Sequence, residues 1–404
     1  MNQAASKLNY TINTIEDFPN VELQKLRDTA RTRLQELPFV TDKQELWRYT
    51  KPRQFDFSKL DKTGSIDWRL EKFDNERSEF QASGLTLSTG LKLSQYLDLL
   101  TQIFRRASDD LAEQSIIELQ LAACSSVHVL HVARGTQIEE PVLIRPVVQD
   151  NSINAAVPLL VILIDNGASV KIVEELNFSL RGLYMPRVEI VARQGAQFSF
   201  ASVQRLSTET QYLARHNLLC ERDVVGDCLH LASGASCARV DLDCKMTEPG
   251  ASLRMAGFYV SDQNRHVDFH TSQDHMAPHC YSELYYKGVV KDRARAVYYG
   301  YIKVAEPAQK TDAYQTNRNL LLSSEARADS IPNLAIKAND VKCSHGSSVG
   351  QVGEDELFYL MSRGLSRTTA EKLLIEAFFA DLISRVKYDS LKEYVTEVIL
   401  ERLR

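Results

Sequence analysis

Leu23, Leu26, Ala30, Leu34 and Leu37 recur at intervals of three or four, and Leu93, Tyr96, Leu97, Leu100 and Phe104 do the same. That spacing predicts helices through most of the first hundred residues. Between them, the stretch from Lys51 to Ser83 is polar and has no period, so it is read as a connector with one short strand. From about Ile116 the texture changes. Short runs rich in Val, Ile, Leu and Tyr follow one another, IIELQLAA, SSVHVLHVA, PVLIRPVV, PLLVILI, ASVKIVEEL and PRVEIVA, with brief turn signals between them. These runs predict strands. No helix of ordinary length is expected among them before about Thr311, which argues against a doubly wound sheet, whose parallel strands need crossover helices.

A small turn repeats through this middle region: Gly167-Ala168, Gly195-Ala196, Gly234-Ala235 and Gly250-Ala251 each close one strand and open another. Glycine followed by a small residue suits a corner where the backbone passes through positive φ and successive coils lie close. Many short strands with recurrent glycine corners favour a β-solenoid. The irregular spacing of the four corners leaves a β-sandwich open on pattern alone. Helices return at the C-terminus. Thr368 with Glu371, and Ser390 with Glu393, have the form of capping boxes. Leu373, Leu374, Ala377, Phe378 and Leu382 give one apolar stripe, and Leu391, Tyr394, Val395, Val398 and Ile399 a second. Such stripes are more often core, and any surplus would suit a partner.

Composition narrows the class. With 404 residues, 44% of them hydrophobic and 25% charged, the chain is too long for one ordinary core and too apolar for disorder, so two or three packed regions are expected. A formal charge of -5 provides no basic face to hold nucleic acid phosphates. The opening MNQAASKLNYTINTIEDFPN has neither the basic start and apolar run of a secretory signal nor the acid-poor character of a mitochondrial presequence. The longest apolar run, VPLLVILI, is far short of the roughly 20 residues that cross a bilayer. A soluble, cytoplasmic protein without a membrane segment is the expectation. Seven cysteines without a CxxC pair fit neither a disulfide framework nor a structural zinc site, and reduced thiols acting as small buried hydrophobes are the simple reading.

Candidate chemistry is concentrated in two places. In DVKCSHGSSVG, Asp340 to Gly350, Cys343 and His345 stand two apart, so in an extended segment they share a face. A thiolate and an imidazole suit iron or zinc, but two ligands do not complete a tetrahedral site, and the rest must come from elsewhere in the chain or from another subunit. A tight turn with no ligand role is the competing reading. In RHVDFHTSQDHMAPHC, His266, Asp268 and His270 alternate and His275 and His279 follow. Four of the nine histidines fall here, which fits a metal or proton site, a metal-dependent hydrolase included, or imidazoles that merely cap solenoid turns by hydrogen bonding. GSSVG matches a nucleophile elbow at Ser348, but no histidine follows His345, so a hydrolase triad fails. No phosphate-binding glycine loop is present; if ATP drives the protein, a partner hydrolyses it.

The segments RHVDFHTSQDHMAPH, YYKGVVKDRARAVYYGYIKV, AQKTDAYQTNRNLLLSSEARADSIPNLAIKANDVKCSHGSSVG and ELFYLMSRGLSRTTAEKLLIEAF, with weaker support from ELWRYT, resemble the SufB/SufD family of iron–sulfur cluster assembly proteins. The CSHG form at Cys343 to Gly346 is most similar to the SufD side of that family. The resemblance implies a mainly β chain: a right-handed parallel β-helix over residues 111–350, an N-terminal helical region over 1–110 and a C-terminal helical region over 351–404 that docks SufC. It implies a non-catalytic scaffold in a SufB–SufC–SufD complex, with ATP hydrolysis left to SufC. It also implies a transient iron–sulfur cluster shared with SufB, and His345 ahead of Cys343 as the ligand offered at the SufB–SufD interface. The alternative within the same fold is a purely structural partner that stabilises SufB and seats SufC without touching metal. A flavin, and pairing of the chain with itself in isolation, are neither implied nor excluded.

Overall fold

The computed structural model describes residues 15–402 apart from positions 75, 109 and 151, so most of the segment weighed for targeting lies outside the described residues. Strand outweighs helix, 42% to 25%, and the strands build a solenoid of about eight turns. Successive strands alternate between two sheets, of nine and eleven strands, so each coil contributes one rung to each. In the eleven-stranded sheet, Gln211 lies beside Cys237, Cys237 beside His266, and His266 beside Arg295, all in parallel register. At the N-terminal end, Ile66–Lys72 and Leu85–Thr89 pair antiparallel with the first coil strands. The expected connector thus contains one strand and leads into another.

The four Gly-Ala corners belong to two separate ladders of turns. Gly167, Gly195, Asp223, Gly250, His279 and Lys310 all have positive φ and recur at intervals of 27 to 31 residues, one per coil. Gly195 donates its backbone N–H to the carbonyl of Arg222 on the next corner, as Gly167 does to Gln194. Gly234 belongs to the opposite corner, where Ala235 carries the positive φ. Pooling two corner ladders makes a regular repeat look irregular. Inside, aromatic rings stack on positions that lack a side chain: a Cβ at Gly288 would fall 1.8 Å from the Tyr259 ring.

Helices cover both outer faces. At the N-terminus, α1 (Val21–Glu36), α2 (Leu97–Phe104) and α3 (Leu111–Ala122) share a core with Val129, Val161 and Leu163 of the eleven-stranded sheet. The run IIELQLAA is therefore helix, not strand. Its polar residues mimic a two-residue period, yet both are buried and engaged: Glu118 is bound by Arg33, and the Gln120 amide donates to the Pro186 and Leu213 carbonyls. A helix buried on nearly every side shows no 3.6-residue pattern.

At the C-terminus, α4 (Glu354–Ser362), α5 (Arg367–Ser384) and α6 (Asp389–Arg402) follow. Ile375, Phe379 and Leu382 of α5 and Val395, Val398 and Ile399 of α6 pack on Val173, Val203, Phe258 and Val289 of the nine-stranded sheet. The cap of α5 is Ser366, whose hydroxyl accepts from the Thr369 N–H, while Glu371 pairs with Arg367. Ser390 lies inside α6. The α5 stripe is also rotated from expectation, for Leu373 is exposed and Phe379 takes the core. No helix among the described residues is long and apolar enough to cross a membrane.

Candidate functional site

Both sheets finish at the same end of the solenoid. Arg327–Ile336 is the last rung of one sheet and Lys342–Gln351 the last of the other, and among the described residues neither has a strand neighbour on its outer side. Cys343 lies beside Ala313 and His345 beside Gln315. Ala313 and Gln315 are buried in the lumen, so the shared pleat turns Cys343 and His345 toward the lumen's mouth. Cys343 is half-buried and packs on the interior core, whereas His345 is exposed. Burial first, and Asp312 second, push the Cys343 thiol up, which disfavours the thiolate a metal needs.

No cluster of three or more His, Cys, Asp or Glu side chains able to hold a metal occurs among the described residues. The imidazole and thiol at the mouth are two potential donors and, among the described residues, no third stands with them. All seven cysteines are free thiols, six of them buried, as expected for small hydrophobes.

The histidine-rich stretch does not come together as one site. His266, Asp268 and His270 face outward under the N-terminal region, while His275 faces the lumen and bonds Ser282 Oγ at 2.8 Å. His279 occupies a corner, with φ 61°. The outward group is a clamp. The Thr50 hydroxyl donates to Asp268 and accepts from His266 Nε2 at 2.6 Å, and His270 Nε2 bonds Asp268 at 3.1 Å. Beside it, Arg239 donates to the Leu46 carbonyl at 2.6 Å and lies 4.0 Å from the centre of the Trp47 ring. Burial pushes Asp268 upward, but His270 and Arg239 together outweigh it and hold the carboxyl down at about 2. Burial holds His266 neutral, down at about 4. Every member is engaged within the clamp, and its evident task is to pin the segment Leu46 to Thr50 onto the sheet. Thr50 and Arg239 carry no signal at motif level, since their partners are remote in sequence.

The α4 and α5 end offers a different kind of surface. Phe358, Tyr359, Met361 and Leu373 are exposed there, and a shallow apolar cleft runs between the helices past Tyr359, Leu360 and Ala377.

The chain is thus a two-sheet solenoid flanked by N- and C-terminal helices on its outer faces, with an exposed imidazole and a half-buried thiol at its mouth. Residues 147–378 match the family model described as SUF system FeS cluster assembly, SufBD core domain, and the chain belongs to that family. Within it the chain is SufD-like. It is 30% identical over 300 residues to the iron-sulfur cluster assembly protein SufD of Escherichia coli, covering 72% of this chain and 71% of that protein. It is 26% identical over 322 residues to SufD of Bacillus subtilis, covering 77% and 72%. An iron-sulfur cluster assembly SufBD family protein of Mycobacterium leprae is 26% identical over 365 residues, 86% of this chain and 92% of that one.

Proposed function

We propose that this chain is the SufD-type scaffold subunit of a SufB–SufC–SufD complex, and that His345 lends one donor to a nascent iron–sulfur cluster shared with SufB. The cluster is cargo, built and passed on. The observation that carries the reading is the exposed imidazole at a solenoid mouth bordered by two free strand edges. A ten-residue edge strand left bare is an invitation to pair with another chain. Pairing there would bring a partner's thiolates to His345 and complete a ligand set that the described residues leave incomplete.

A neutral imidazole binds iron less firmly than thiolate does. A site with one imidazole from this subunit and thiolates from the other would hold a cluster during assembly and release it afterwards. Cys343 takes a lesser part, because its thiol resists ionisation. The exposed apolar residues of α4 and α5 suit docking of the ATPase SufC, whose motion would reach the solenoid through the packing of α5 on the nine-stranded sheet. Assembly in the cytoplasm, with no reaction catalysed by this chain, accords with this division of labour.

A second reading is favoured by the incomplete donor set: the chain stabilises SufB and seats SufC without touching metal. Pull-down with SufB and SufC, paired with iron and sulfide analysis, separates the two. Under the first reading His345→Ala spares the complex and depletes the cluster; under the second both survive.

A further inference from the structure

The inward row that ends at His345 changes character at its last two rungs. Reading up the nine-stranded sheet, Phe200, Cys228, Met255, Leu284, Gln315 and His345 stand in register, one per coil. Apolar or weakly polar side chains fill this row until an amide takes the register position below the imidazole. Gln315 is 1% exposed, and neither its amide nitrogen nor its amide oxygen has a hydrogen-bond partner. Each orphaned group of that kind is destabilising, a cost that a leucine like the one below would avoid. Space has also been left for it. Gly300 of the facing sheet lacks a side chain, and a Cβ there would lie 2.1 Å from Gln315 Nε2.

His345, one rung above, makes no hydrogen bond to any described residue. Two unpaired groups therefore occupy adjacent inward positions, one a carbonyl acceptor and the other a ring N–H donor. A metal-binding imidazole has its second nitrogen held by just such an acceptor, which fixes the tautomer and aims the lone pair.

We propose that Gln315 is the positioning residue for His345: its side-chain carbonyl, which has no partner in this structure and lies against Gly300, turns to accept the lumen-side ring N–H, so that the other ring nitrogen presents its lone pair at the mouth. This rests on the reading of His345 as a donor to the cluster. Gln315 touches neither cluster nor partner and acts only through the imidazole.

The test uses the full chain labelled with nitrogen-15 at histidine, with ring tautomers read from long-range nitrogen–proton correlations. The His345 signal is assigned by its loss in His345→Ala. In the wild type one His345 tautomer is expected in roughly tenfold excess, the ratio set by one hydrogen bond of ~1.4 kcal/mol. Gln315→Leu and the more adaptable Gln315→Met both lower that ratio several-fold and leave the other histidine signals in place. An unchanged His345 tautomer ratio in a folded variant overturns the proposal. Cluster content of the His345→Ala complex is measured separately. If that variant keeps its cluster while Gln315 variants shift the tautomer, the donor reading falls and the positioning contact stands; the reverse pattern removes the contact alone.

Discussion

Replacing His275 by glutamine removes the charge-switching group from the lumen but keeps a side chain able to bond Ser282. His275 is fully buried, and burial holds its imidazole down at about 4 against 6.5 for the exposed ring. The unfolded chain therefore takes the proton first as the pH falls. Stability from keeping His275 neutral is complete above about pH 6.5 and is lost between there and pH 4. Integrating the linkage gives a loss of roughly 2 kcal/mol between pH 7 and pH 5 from this residue alone. The wild-type curve contains other contributions. Glu174, pushed up to about 7 by burial, works in the opposite sense and gains stability as the pH falls toward 4.5. Comparing wild type with His275→Gln cancels whatever the two proteins share. Urea unfolding at pH 7 and pH 5 should show the variant losing roughly 2 kcal/mol less than the wild type over that interval. Equal losses in the two proteins would mean that His275 is not held neutral in the lumen.

Thr50→Val leaves Asp268 and His266 each short of a partner in a buried setting, and should cost about 2–4 kcal/mol. Hydrogen exchange localises the change to the segment Leu46 to Thr50; uniform protection there would show that the clamp does not pin it. Phe379 is fully buried with its ring 5.3 Å from that of Phe258, so Phe379→Ala should cost about 3–5 kcal/mol and speed proteolysis within α5 and α6 while the solenoid stays resistant. Cys343→Ser should lower the cluster content of the three-protein complex less than His345→Ala does, because the raised thiol is the poorer donor; iron and sulfide analysis ranks the two.

The strands of the solenoid were legible because period-two alternation with an apolar inner face survives in SSVHVLHVA, ASVKIVEEL and PRVEIVA, each of which is a strand. The caps of α5 and α6 and the buried side of α5 also differ from expectation, but the element type was mistaken in α3, where burial erased the pattern. Parity was a usable signal at the histidine stretch. His266, Asp268 and His270 share even positions and one face, and His275 at an odd position faces the other way, so the five residues could not form one site on a single strand. Thr50 was not legible as part of the clamp, because it meets Asp268 across 218 residues of chain and only docking of the N-terminal segment on the sheet brings them together. Gln315 became visible only once the register was known, since its meaning lies in the column it occupies and not in its sequence neighbours.

The decisive question is whether the imidazole at the solenoid mouth donates to a cluster shared across a subunit boundary. Anaerobic purification of this chain with SufB and SufC, followed by visible absorption and Mössbauer spectroscopy of wild type and His345→Ala, tests it most directly. An intact three-protein complex is expected in both, with the iron–sulfur signature strongly reduced or altered in the variant. An identical spectrum at equal iron and sulfide content would contradict it.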